Sequence, residues 1–131
     1  MSQTRSADDS SVLVERTAGL TAVLGVFIMA STVVFTITGN MGIHNVLVGA
    51  LTALVASVHA YRTGESRTQS IALAAVLVVL GIWIAASPFV FGTERELAVG
   101  INSLGGAIIA ILSLVSVYGS VRTSETTATT A

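Results

Sequence analysis

Four runs of roughly twenty residues each, free of Asp, Glu, Lys and Arg in their interiors, constrain this chain more than any other feature. They extend from Thr17 to Ile37, Ile43 to Tyr61, Ser70 to Phe91 and Leu97 to Val121. At 1.5 Å rise per residue, about 20 apolar residues cross the hydrocarbon core of a bilayer. A backbone in lipid must satisfy its own N–H and C=O groups, so each run is predicted to be a helix. The expected fold class is all-α, four transmembrane helices in a lipid bilayer. Composition agrees: 53% of residues are hydrophobic, 10% are charged and the mean hydropathy is +0.86, far outside the range of soluble domains.

The segments between the runs have turn chemistry. TGNMG (Thr38 to Gly42) is short and glycine-rich, RTGESRTQ (Arg62 to Gln69) is polar, and GTERE (Gly92 to Glu96) is tight and charged. Short links make sequence neighbours antiparallel. The expected organisation is a mobile segment at 1–16, a first two-helix membrane repeat at 17–61, a loop at 62–69, a second repeat at 70–121 and a disordered tail at 122–131. Both end segments are polar and low in complexity, too poor in apolar surface to offset ordering. The first run is longer than the core of a cleaved signal and starts behind Glu15 and Arg16, so it reads as a retained helix.

An internal repeat supports that organisation. LGVFIMASTVVF (Leu24 to Phe35) lies over LGIWIAASPFVF (Leu80 to Phe91), and NVLVGALTAL (Asn45 to Leu54) lies over NSLGGAIIAI (Asn102 to Ile111). The unit is a helical hairpin used twice. Two spans per unit is an even number, so both copies enter the membrane in the same sense, a parallel duplication. Arg5, Arg16, Arg62, Arg67 and Arg122 fall on the side of the termini and the central loop, whereas Arg95 is alone on the other. The excess of basic residues predicts a multi-pass protein of the cell membrane with both termini cytoplasmic.

Pro88 is the chain's only proline. Lacking an amide proton and crowding the carbonyl four residues back, it is expected to kink or end the third helix near Ser87. The carbonyl it frees is costly in hydrocarbon, and the Ser87 hydroxyl and Asn102 are the groups placed to supply hydrogen bonds. Trp83 is expected in the interfacial ring, its indole N–H facing headgroups or the proline turn.

The stretch WIAASPFVFG, followed by Asn102 and then Gly105 to Ala107, resembles the SPW repeat family of small prokaryotic membrane proteins. In that family the unit is a two-helix hairpin with a Trp, a Ser-Pro-aromatic triplet, a glycine, and a downstream Asn and Gly. Trp83, Ser87, Pro88, Gly92, Asn102 and Gly106 match that pattern, with Phe89 where the family usually has a second Trp. The first copy is degenerate and keeps Ser31, Asn45 and Gly49. The resemblance implies a multi-pass membrane protein of no established activity and supplies no catalytic residue.

Helix association in lipid relies on small residues that let backbones approach, and on a few hydrogen bonds. Gly49, Ala53 and Ser57 form such a stripe on the second helix, and Gly106 and Ala110 repeat its start on the fourth. These read as packing faces within the chain, with a dimer seam as the alternative. His44 and His59 lie near opposite ends of one helix, too far apart to share a metal, and read as interfacial polar residues. Asn45 and Asn102 read as caps or braces at helix starts, with a polar path as the alternative. Glu94, Arg95 and Glu96 read as a solvated loop.

Neither acid–base pairs nor phosphate-binding or nucleophile motifs occur, so no enzyme, catalytic residue, cofactor or metal is expected. The net charge of −1 gives no basic surface for nucleic acid. With no cysteine, the chain carries no disulfide or thiolate site. All of its basic residues are arginine, a composition habit of GC-rich prokaryotic genomes, including those of salt-loving archaea. The expected function is a structural or interaction bundle associating with itself or with a membrane-protein partner through small-residue faces. The alternative is a small transporter or channel subunit, whose usual coupling group in small proton-driven exporters, a membrane-embedded carboxylate, is missing from the runs.

Overall fold

The computed structural model describes the backbone of residues 2–62 and 67–130, and the side chains of residues 12–62 and 71–121. It is a bundle of four helices: α1 (Ser2–Val34), α2 (Gly39–Tyr61), α3 (Arg67–Val90) and α4 (Glu96–Thr130). Each contains a stretch long and apolar enough to cross a membrane: Val12–Val34, Gly39–Tyr61, Ile71–Val90 and Glu96–Val121. Of the loop expected at 62–69, residues 63–66 lie outside the described residues. Helical backbone continues through both polar end segments, where composition predicts no stable structure. Once a helix is nucleated, each further residue adds a hydrogen bond at little entropic cost.

The turns differ from expectation in place but not in kind. Helix α2 begins at Gly39, so the α1–α2 turn is at 35–38 rather than across TGNMG. Gly42 is already helical and sits so close to the Ile37 carbonyl that a Cβ would not fit. At the end of α3, Gly92 has φ +63°. Its N–H donates to the Phe89 carbonyl at 3.4 Å, and the Thr93 N–H donates to the Pro88 carbonyl at 2.8 Å. This pair of bonds is the Schellman arrangement that closes a helix C-terminus. The end of α1 has the same arrangement built on Thr36, φ +53°. There the Thr36 N–H donates to Val33 and the Ile37 N–H donates to Thr32 at 2.9 Å. A β-branched residue is a poor occupant of left-handed space.

Two close seams hold the hairpins. A Cβ on Gly25 of α1 would lie 2.7 Å from the Ala53 backbone nitrogen and 2.8 Å from the Gly49 carbonyl oxygen of α2. A Cβ on Gly81 of α3 would lie 2.5 Å from the Ala110 nitrogen and 2.9 Å from the Gly106 carbonyl oxygen of α4. The glycines of the small-residue stripes are thus occupied inside the chain, and Ser57 faces outward. Between the hairpins α1 packs extensively on α4, whereas α2 and α3 touch far less. Ile28, Ile84 and Ile109 meet at the centre with Leu24, Val48 and Ile101 around them. A second cluster of Ile37, Met41 and Ala98 lies toward the α1–α2 and α3–α4 turns.

The bundle is polar within and apolar without. Thr17, Thr21, Asn45, Thr52, Asn102 and Ser113 are buried, whereas Val23, Val33, Leu47, Leu54, Val79 and Leu104 are exposed. In hydrocarbon this distribution is favourable, because lipid solvates aliphatic side chains and hydrogen bonds form best where lipid is excluded.

Candidate functional site

The most developed polar feature is a hydrogen-bonded network of five side chains toward the turn end of the bundle. At its centre Asn45 of α2 and Asn102 of α4 hold each other reciprocally. The Asn45 amide N–H donates to Asn102 Oδ1 at 3.0 Å, and the Asn102 amide N–H donates to Asn45 Oδ1 at 2.7 Å. Both are fully buried. The reading of these residues as caps is corrected: both sit well inside their helices and brace α2 against α4. Two amides facing each other satisfy both donor and acceptor, whereas either one alone would leave buried polar atoms unpaired.

On one side the second Asn102 N–H reaches Ser87 Oγ of α3 at 3.2 Å, and the Ser87 hydroxyl donates to the Ile84 carbonyl at 2.7 Å. Ile84 is the residue four before Pro88, so its carbonyl is the one the proline leaves without an amide donor. With that group satisfied, α3 does not end at Ser87; it continues through Pro88 to Val90, and the Phe91 N–H bonds the Ser87 carbonyl at 2.9 Å. Ser31 makes the same contact in α1, its hydroxyl donating to the Ile28 carbonyl at 2.6 Å. There Thr32 stands in place of proline.

On the other side His44 Nδ1 lies 3.2 Å from Asn45 Oδ1, and the Trp83 indole N–H donates to His44 Nε2 at 2.8 Å. An indole N–H only donates, so Nε2 must accept and the single proton of the neutral imidazole must sit on Nδ1, facing Asn45. Donors lead from Trp83 through His44 to Asn45, across the reciprocal Asn45–Asn102 pair, and from Asn102 through Ser87 to the Ile84 carbonyl. The Trp83 indole N–H points to His44 rather than to the proline turn, while the ring itself stays partly exposed. His44 and His59, near the two ends of α2, are both buried within the bundle. Phe91, in the turn just past α3, closes over His44, ring centroids 5.1 Å apart.

The remaining motif residues are dispersed. Phe89 is exposed on the outer surface, Gly92 makes the turn, and Gly49 and Gly106 line the two hairpin seams. Arg95 is not merely solvated: its guanidinium donates to the Thr36 carbonyl at 2.6 Å and ties the α3–α4 turn to the α1–α2 turn. His44 was invisible as a network member because its partner Trp83 lies 39 residues away. The one available signal was its position beside Asn45. Among the described residues no group of three His, Asp or Glu is placed to hold a metal.

The family model described as the SPW repeat domain matches residues 15–116, which takes in the whole network and both hairpin seams. The chain belongs to the SPW repeat domain family. No curated protein and no solved structure matches it significantly. Four of the residues that carried the resemblance act together here: Trp83 contacts α2, Ser87 caps the carbonyl that Pro88 frees, and Asn102 links Ser87 to Asn45. In this SPW repeat protein the signature joins three of the four helices.

Proposed function

We propose that this protein is a non-catalytic structural or interaction bundle of the cell membrane, built as two tandem two-helix repeats with both termini cytoplasmic. The observation that carries the reading is the reciprocal Asn45–Asn102 pair, in which the most polar side chains of these two spans bond each other and brace the bundle. A proton-coupled transport path would ordinarily place a carboxylate within a span, and the four apolar runs contain none in their interiors. The duplication is supported by the recurrence of local geometry: the Thr36 and Gly92 turns, the Ser31 and Ser87 hydroxyl contacts, and the Gly25–Gly49 and Gly81–Gly106 approaches. Because the glycine faces are taken up within the chain, association with a second copy or another membrane protein runs over lipid-facing side chains such as Leu47, Leu104 and Ile111.

Purification in mild detergent with mass measurement tests the interaction reading, which requires a stoichiometric partner or a defined oligomer. A bare monomer that drives coupled proton flux in liposomes would replace it with the transporter alternative. For the orientation, single cysteines at Ser66 and Thr126 should be protected from an impermeant thiol reagent in intact cells while one at Thr93 reacts. The reverse labelling would invert the topology.

A further inference from the structure

The polar network contains one member that can change its hydrogen-bonding character under mild conditions, and that member spans the weakest seam of the bundle. His44 connects α2 to α3 by accepting the Trp83 indole proton on Nε2 at 2.8 Å, at the seam where the helices touch least. The acceptor exists only in the neutral ring, since protonated imidazole carries N–H on both nitrogens. Two N–H groups would then face each other across α2 and α3, and a cation would stand among Phe91, Ile43 and Leu47. Beside His44 a lateral groove of about 340 Å³ already separates α2 from the end of α3, lined by Asn40, Ile43, Leu47, Val48 and Phe91.

We propose that His44 is a pH-sensitive latch: its neutral form closes the turn end of the α2–α3 seam through Trp83, and its protonation releases Trp83 and opens that seam into the groove. Histidine is the side chain whose charge ordinarily changes between pH 5 and 8. The groups facing His44 are Trp83 of α3, Phe91 in the turn just past it and Asn45 on its own helix, none of which titrates in that interval. From α4 the network presents Asn102, and the first and fourth apolar runs contain no Asp, Glu, Lys, Arg or His. The charged groups at this end are Glu94, Arg95 and Glu96 of the α3–α4 turn, with Arg95 held by the Thr36 carbonyl. At the α1–α4 seam a described hydrogen bond joins the hydroxyls of Thr17 and Ser116.

The single tryptophan makes the test direct. The full chain in nanodiscs is taken from pH 8 to pH 5 while Trp83 emission and backbone hydrogen exchange are recorded. Release predicts an emission shift together with protection factors, taken against the intrinsic exchange rate at each pH, up to about tenfold lower at the turn ends of α2 and α3, the factor expected from losing one hydrogen bond, with those of α1 and α4 unchanged. His44→Gln keeps an acceptor toward Trp83 without titrating, and should hold both signals constant. His59→Gln and the Glu94→Gln, Glu96→Gln pair should behave as wild type. A wild-type chain with no pH response overturns the proposal, as does a response that survives in His44→Gln or vanishes in His59→Gln. An emission change without lower protection would also overturn it, because it would mean altered quenching with the seam still closed. If His44→Gln fails to fold, the wild-type exchange profile still decides.

Discussion

The two seams that join the hairpins, α1 against α4 and α2 against α3, are assembled from aligned segments of one repeat and yet close to different degrees. At the α1–α4 seam Gly105 lets Ile28 come so near that a Cβ on the glycine would stand 2.8 Å from the Ile28 side chain. The residue aligned with Gly105 in the first copy is Val48, and it lines the groove that keeps α2 and α3 apart. The open seam is held by the Trp83–His44 bond, whose aligned positions in the other seam are Phe27 and Ile101. One seam is closed by removing a side chain and the other is bridged by adding two polar ones. Dispersion falls off steeply with a gap, so a bundle with one loose seam has a natural place to open.

Reversing that exchange gives the largest expected effect. Gly105→Val should push α4 away from α1 and destabilise the fold by about 2 kcal/mol, in the usual range for overpacking, in mixed-micelle unfolding followed by Trp83 fluorescence. Val48→Gly should cost less, because Val48, though it packs on the central isoleucine cluster, also borders the groove. Equal losses would mean that the two seams are packed alike.

The next effect separates the two serines. Ser87→Ala leaves the Ile84 carbonyl with no donor, because Pro88 has none to offer, and should cost roughly 1 kcal/mol in the same assay. Ser31→Ala should cost less, since the Ile28 carbonyl retains the helical N–H of Thr32. Adding Pro88→Ala to Ser87→Ala should recover part of the loss. Additive losses in that pair would sever the link between Ser87 and the proline.

The two turns give the smallest difference, one of opposite sign. Thr36→Gly relieves a left-handed β-branched residue and should stabilise by about 1 kcal/mol, while Gly92→Thr should destabilise by about the same amount. A destabilised Thr36→Gly would show that the threonine side chain contributes more to the turn than its backbone strain costs.

Much of the architecture was legible in the chain because it depends on local quantities. The four spans follow from runs without charge, and at the connections between helices the ends deviate from them by only a few residues, where α2 takes in Gly39 to Gly42. Gly49 and Gly106 stood out as packing positions because small residues are what close helix contact demands in lipid. Ser87 was identified as a donor because the unmet carbonyl of a proline helix lies one turn back along the same helix.

What the sequence could not determine is how the helices are rotated about their axes and which of them meet. Trp83 and His44 are 39 residues apart and Asn45 and Asn102 are 57 apart, so neither pairing leaves a local pattern. An asparagine in a helical run reads equally as a brace or a path until a second amide stands opposite. Only the tertiary structure aimed the Trp83 indole N–H at His44, carried α3 through Pro88, and left the α2–α3 seam looser than the contact of α1 with α4. The sequence by itself determined that these helices exist and lie in a membrane, because hydropathy and backbone satisfaction act within one helix; the network was decided by packing, because a hydrogen bond between helices exists only once both are in place.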